Sequence, residues 1–382
     1  MNQRTLGATF LIAGTTIGAG MLALPMTSAS FGFGRSVLLL IGMWLYMLIS
    51  AGIMVEISHG KGQSIAAIAE NRLGVWASRA AAISMLVLFW SLLWCYISGG
   101  SSILHQEMRT SLPIWVIVVG FAVFFGVFVV MCTRAVDYAN RFIFLAKVVV
   151  FAVILVGLLP FVTCENLTTT AKSAQLSVHH VIPVFFTAYG FHGSIPSLMT
   201  YLDGDKRSIY TSLTLGSLIP LVVYILWQTI TLGVIGNHLN GTEDVGLFIS
   251  HLTRKTGHPY LSLLTNVFAF LAIATSFLGV ALGLFDYVSE WFKKENDGKK
   301  RLKVAALTFG LPLVLALIYP NGFITALGCA AVALSLLAVV LPCLVALKEK
   351  QKHTSFLMNK GVVVFVLIGG LAVIAIEVIL KS

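Results

Sequence analysis

The sequence predicts an all-α integral membrane protein of eleven transmembrane helices, built as two five-helix halves plus one extra C-terminal helix. Three observations predict it. Of 382 residues, 58% are hydrophobic and only 10% charged, with a mean hydropathy of +0.94; a soluble domain runs at about 45–50% apolar and about 25% charged. Apolar runs recur at the length of about 20 residues that a helix needs to cross the hydrocarbon. The runs that open the two halves are each interrupted by glycine and proline, and no other run is interrupted in that way.

Taken in order, the runs fall at about 5–31, 36–57, 80–104, 114–133, 141–162, 179–202, 211–235, 261–288, 304–319, 323–347 and 361–380. Residues 1–162 hold the first five, 179–347 the second five, and 361–380 the eleventh. The first run is too long for the apolar region of a secretory leader, so no cleaved signal is expected. Segment 58–79 places Ala and Ile at helical spacing around Lys61, Glu70 and Arg72, which predicts an amphipathic helix at the interface. Tyr319-Pro320-Asn321-Gly322 predicts a tight turn between spans nine and ten.

The net charge of +10 is a topology label. Lys and Arg sit in short gaps between apolar runs, not on one clustered face or arm, which argues against nucleic-acid binding. With the N-terminus placed in the cytoplasm, 18 basic residues face inward, six face outward, and Lys147 alone lies inside a span. The positive-inside rule therefore predicts a cytoplasmic N-terminus and a periplasmic C-terminus. Cysteines at 95, 132, 164, 329 and 343 form no CxxC pair and predict neither a disulfide framework nor a zinc site. No clustered acid/base constellation predicts an enzyme, and no repeated ring of polar groups predicts a channel.

Span one reads Gly14-Thr-Thr-Ile-Gly18-Ala-Gly20-Met-Leu-Ala-Leu-Pro25, and span six Pro183-Val-Phe-Phe-Thr-Ala-Tyr-Gly190-Phe-His-Gly193-Ser-Ile-Pro196. Five crossings separate them, so the second half inserts upside down relative to the first. That is the sequence form of an inverted repeat with two broken helices, and it points to a transporter binding site. Unwound backbone is tolerated at membrane depth only where it lines a cavity or meets a ligand. Half-helix N-termini suit an anionic group and freed carbonyls suit a cation, so an amino acid zwitterion matches both. The alternative use of such glycines is close helix packing.

Three segments carry a family resemblance: Ala13-Gly-Thr-Thr-Ile-Gly-Ala-Gly-Met-Leu-Ala-Leu-Pro25, Ile182-Pro-Val-Phe-Phe-Thr-Ala-Tyr-Gly-Phe-His-Gly-Ser-Ile-Pro196 and Ala274-Thr-Ser-Phe-Leu-Gly-Val-Ala-Leu-Gly-Leu-Phe-Asp-Tyr287. They resemble the hydroxy/aromatic amino acid permeases of the amino acid–polyamine–organocation superfamily. The resemblance runs over nearly the whole chain. It implies a leucine-transporter-like five-plus-five fold in the bacterial inner membrane, importing an aromatic amino acid, tyrosine first, by proton symport. Tryptophan, serine or threonine as substrate, and sodium as the coupling ion, stay open. The breaks bind the amino acid backbone common to all of these. No cofactor is expected beyond the proton motive force, membrane lipid is the surrounding partner, and nothing in the sequence fixes an oligomeric state.

For the charged end of the substrate the candidates are Thr15, Thr16, Gly18, Ala19 and Gly20 in span one, with Tyr189, Gly190, Phe191 and Gly193 in span six. Backbone groups are expected to do most of this work. An aromatic side chain needs a ring-lined wall, for which the candidates are Trp94, Tyr96, Phe186, Phe191 and Phe277. Lys147 is the sharpest single residue. An intramembrane ammonium costs about 2.5 kcal/mol or more and is a functional hypothesis by default, although a four-carbon stem could also snorkel from a site about 9 Å beyond Arg141. The resemblance implies that Lys147 takes the place of a sodium ion beside Thr275 and Ser276, so these three are the coupling candidates. His192 is a weaker one, titrating near neutral pH when unperturbed. Glu56 and Asp286, at the inner ends of spans two and eight, are expected to pair with loop cations, and Glu377 in span eleven to be peripheral to coupling.

Overall fold

The computed structural model describes residues 2–60, 62–108, 111–131, 133–168, 178–236, 243–292, 297–349 and 355–379, and among these it is helical with no strand. In chain order the helices are α1 (Gln3–Thr16), α2 (Gly20–Ser28), α3 (Phe33–Ile57), α4 (Ile65–Leu73), α5 (Val75–Met108), α6 (Ile114–Met131), α7 (Thr133–Leu158), α8 (Cys164–Thr168), α9 (Val178–Ala188), α10 (Ile195–Tyr201), α11 (Lys206–Ile235), α12 (Val245–Arg254), α13 (Pro259–Ser289), α14 (Asp297–Ile318), α15 (Phe323–Ser335), α16 (Leu341–Lys348) and α17 (Lys360–Ile379).

Among the described residues, eight helices are long and apolar enough to cross a membrane. The pair α1–α2, bent by 53° at its break, makes a ninth. Two further stretches, the apolar helix 146–161 and the interrupted α9–α10, fall below the length of a single unbroken span. Large apolar side chains lie exposed all around the bundle, among them Leu38 (72%), Val156 (73%) and Ile318 (75%). Water would not tolerate so many, whereas lipid tails are as apolar as the side chains themselves. The chain is a multi-pass membrane protein.

The turn at 319–322 forms as the sequence predicts, closed by the Gly322 amide donating to the Tyr319 carbonyl at 3.1 Å. Two expectations need correction. Segment 58–79 is not one amphipathic helix: Ser64 caps α4, which lasts nine residues, and Gly74 at φ +100° ends it. The third span therefore starts at Val75, not near 80. Between residues 235 and 261, where no element is predicted, lies α12, whose N-terminus Asp244 caps by accepting from the Leu247 amide at 2.9 Å. Phe248, Ile249 and Leu252 turn one face of α12 down onto α5 and α13.

Two packing relations position the site. Helix α11 runs along the interrupted first span with a contact at every fourth residue, the spacing of one helix face. Ser212 donates to the Thr5 carbonyl at 3.1 Å, and Gly216 lets the backbone of α1 approach so closely that a Cβ would lie 2.8 Å from the Thr9 carbonyl oxygen. Beyond the break, Gln228 donates to the Ser28 hydroxyl at 2.8 Å. On the other side, α5 packs against α13 and α15, and α2 packs against α9. Among the candidate spans, 323–348 is the most enclosed; it holds a π-helical turn at Leu336–Val340.

Charged groups collect at the ends of the bundle. Glu56 closes α3 between Lys206 Nζ (2.8 Å) and the Tyr210 hydroxyl (2.7 Å), the loop pairing expected of it. At the same end Arg4 meets Asp203, and Glu349 is shared by His59 and Arg72. Asp286 instead lines a cavity of about 210 Å³ with Lys300 and Arg301. At the opposite end Thr325 donates to Glu243 at 3.0 Å and Asn266 to Glu107 at 2.6 Å. Glu377 of α17 is buried against α15, where its carboxylate occupies the space a side chain at Gly328 would need.

Candidate functional site

The first break spans Ile17 to Ala19, between the last turn of α1 and the first of α2. Both threonines before it are turned back on their own helix: the Thr15 and Thr16 hydroxyls donate to the Ile12 carbonyl, at 3.0 and 2.6 Å. What the break offers is backbone. The Ile17 carbonyl accepts from Lys147 Nζ at 3.3 Å, and the Ala19 amide donates to the Ser276 hydroxyl at 3.1 Å. Gly18 sits close, since a Cβ there would lie 3.0 Å from Ser276 Oγ. Lys147 on α7 is 4% exposed, so its ammonium is spent on the break and not on the membrane surface. Thr275 lies one residue from Ser276 and donates to the Leu271 carbonyl at 2.9 Å. Of the coupling candidates, Lys147 of α7 and Ser276 of α13 thus meet at one three-residue interruption.

The second break follows α9. Tyr189 and Gly190 leave the helix, and Phe191–Ser194 form a short 3-10 turn before α10. The two breaks touch: a Cβ on Gly20 would sit 3.6 Å from Ala188 Cα, an ordinary contact. At Gly190 the fit is tighter, 3.0 Å from the Thr187 carbonyl oxygen and 3.2 Å from Leu334, whereas Gly193 faces open space. Neither these glycines nor Gly18 and Gly20 have a positive φ. They serve close approach and open backbone, not turn geometry. His192 is 3% exposed and its ring stacks on Phe191 at 5.0 Å. The Met47 backbone of α3 lies beside the imidazole, yet neither ring nitrogen makes a well-formed hydrogen bond.

Sequence reasoning missed Tyr224. Its hydroxyl lies 2.7 Å from the Thr16 carbonyl oxygen and 2.9 Å from that of Ala188, one at each break. Its ring meets Tyr189 edge-on at 5.5 Å. The signal that could have found it is the stripe at every fourth residue, Ser212, Gly216, Pro220, Tyr224 and Gln228, which marks one face of an otherwise apolar run.

Of the ring candidates, Tyr96 faces the Ser276 hydroxyl beside the first break. Phe191 lies in the second break, and the structure places the other three elsewhere. Trp94 lies under the 319–322 turn, its Nε1 donating to the Tyr319 carbonyl at 3.4 Å. Phe186 meets Tyr46 of α3 at 6.3 Å. Phe277 packs against Phe121, Phe125 and Phe309, with centroids 5.6–6.0 Å apart, in a cluster shared by α6, α13 and α14. One residue further along α13 than Ser276 turns a side chain by about 100°, away from the break.

Two interrupted helical stretches in contact, with a lysine donating to one break and a tyrosine hydroxyl within reach of both, form the candidate site. Residues 1–378 match the model of the tryptophan/tyrosine permease family. The chain belongs to that family. It is similar to the tyrosine-specific transport system 1 of Haemophilus influenzae, 39% identical over 92% of this chain and 90% of that protein. It is also similar to a tryptophan-specific transport protein of Pseudomonas aeruginosa, 34% identical over 96% and 92%, and to the low affinity tryptophan permease of Escherichia coli, 30% identical over 90% and 86%. This permease is therefore a transport protein and not an enzyme, as the sequence predicts.

Proposed function

We propose that this permease imports L-tyrosine across the bacterial inner membrane by proton symport, through alternating access around the two breaks. The observation that carries the reading is Lys147 Nζ donating to the Ile17 carbonyl inside the first break. A single protonatable group is thereby tied to the backbone expected to bind the substrate, so gain or loss of its proton changes the shape of the site. Lysine suits this because its pKa moves readily when it is desolvated. The zwitterion is bound by backbone amides and carbonyls of both breaks, with Ser276 holding the first in register and Tyr96, Phe191 and Tyr189 the nearest rings. Tyrosine is put ahead of tryptophan because a relative named for tyrosine is 39% identical, against 34% and 35% for two named for tryptophan.

The reading counts eleven spans: the eight long helices, α1–α2, α7 and α9–α10. The first five and the next five form the inverted repeat, and α17 stands outside it. The basic-residue bias puts the end bearing Glu56, Lys206 and Glu349 in the cytoplasm.

Uptake into liposomes holding the purified protein tests this, with pH and sodium gradients imposed separately. Labelled tyrosine accumulates under an inward proton gradient alone, and tryptophan competes weakly. Accumulation that needs sodium and ignores pH would overturn proton coupling. Tighter competition by tryptophan than by tyrosine itself would overturn the substrate.

A further inference from the structure

The carbonyls of Thr16 and Ala188 are the last of their half-helices, and among the described residues no backbone amide takes either one across the breaks. Each carries the negative end of a helix dipole, equivalent to roughly half an elementary charge. Two such ends converging at the centre of a membrane protein would repel and would each lack a donor, which is costly for buried backbone. One group answers both: the Tyr224 hydroxyl, fully buried, at 2.7 and 2.9 Å. A phenol has one proton to donate, so it serves the two carbonyls by sharing or alternation and leaves their remaining lone pairs directed into the junction between the breaks.

We infer that Tyr224 is a positioning residue for the substrate's ammonium group, setting the separation of the two carbonyl-bearing helix ends that recognise it. This rests on the proposed amino acid transport and adds a residue on α11, outside both breaks. The ammonium is the only part of the substrate that needs converging acceptors. A change confined to these carbonyls therefore acts on recognition of the amine and leaves the carboxylate and the ring alone. The edge-on packing with Tyr189 depends on the ring, not on the hydroxyl, so removing the oxygen keeps the shape of the core.

The test compares L-tyrosine with 3-(4-hydroxyphenyl)propionate, which has the same ring and carboxylate and lacks the amine. Both are measured by direct binding to purified wild type, Tyr224→Phe and Ser217→Ala. Ser217, on the same helix as Tyr224, accepts from Trp44 of α3 at 2.9 Å, so it controls for loss of a buried hydrogen bond on α11. In Tyr224→Phe, affinity for tyrosine falls roughly tenfold, the size of one hydrogen bond to a charged group, and affinity for the amine-free analogue is unchanged. Ser217→Ala shifts neither. Equal weakening of both ligands in Tyr224→Phe, or no weakening of tyrosine, overturns the inference. Failure of wild type to bind tyrosine would instead overturn the proposed function, which keeps the two separable.

Discussion

The two interrupted spans occupy equivalent places in the sequence and are wired differently in the structure. The first break is held by side chains from two other helices, Lys147 of α7 on the Ile17 carbonyl and Ser276 of α13 on the Ala19 amide. The second is held by packing: Tyr189 against Tyr224, Phe191 against His192, and Gly190 against Leu334. Their shared tie is the Tyr224 hydroxyl. An unwound segment fixed by an ionisable group responds to protonation, whereas one fixed by rings responds to shape. On the proposed reading this difference divides labour, with the ion read at the first break and the aromatic side chain at the second.

The largest effect expected from this division is at Lys147. Replacing it with alanine removes a buried ammonium and leaves the Ile17 carbonyl without that donor. Gradient-driven accumulation of tyrosine is lost, while exchange of internal for external tyrosine with no gradient persists. The matching change at the second break, His192→Gln, keeps a polar ring-sized group and leaves accumulation under a proton gradient intact. Measuring both modes in liposomes checks this. Loss of coupling in His192→Gln with retention in Lys147→Ala would reverse the assignment of the two breaks.

The glycines give a finer comparison, with an effect about one order of magnitude smaller. Gly18→Ala puts a methyl 3.0 Å from the hydroxyl that receives the Ala19 amide, so either the break or Ser276 must move. Displacing a buried hydrogen bond costs about 1–3 kcal/mol, and roughly tenfold or more in tyrosine affinity follows. Gly193→Ala meets nothing within 4 Å, and its φ is not positive, so its affinity stays within about twofold of wild type. Equal losses at the two positions would mean that glycine serves flexibility at both breaks and not close approach at the first.

How much of this was legible beforehand follows from what each signal encodes. Apolar run length located the eight long helices and the α1–α2 pair, most of them to within about five residues, because burial of the backbone in lipid allows no other solution. It failed at Gly74, where one residue in a left-handed conformation splits an apparently continuous amphipathic stretch, and at α12, too short to register against the ruler of a membrane span. Lys147 was legible because a charge in hydrocarbon is rare and expensive. Rings were not, because an apolar face looks the same whether it meets substrate, lipid or another helix. Phe277 and Ser276 are neighbours in sequence and face different partners. Tyr224 was hidden for a related reason: its function resides in a single oxygen, and only the placement of two carbonyls against it reveals that.

The smallest effect concerns α11, the element both breaks share, at its start instead of its middle. Asp205 caps α11 by accepting from the Ser208 amide at 3.2 Å. The hydrogen bond from the Ser208 side chain, with that from its backbone, holds the Asp205 carboxyl below the ordinary carboxylate value. A depressed folded-state pKa contributes stability that is fully present above the unfolded value and is lost as pH falls through the folded one. Wild type in detergent therefore loses a small part of its thermal stability as pH drops below about 4. Asp205→Asn flattens that part of the profile and changes little at neutral pH, since asparagine caps helices about as well. Tyrosine affinity stays unchanged in the variant, because the cap lies some five turns from Tyr224 along a helix buttressed at Ser212 and Gly216. A loss of affinity in Asp205→Asn would show that α11 transmits strain from its end to the junction of the breaks, and the division of labour between them would then depend on the strut and not only on the groups that meet there.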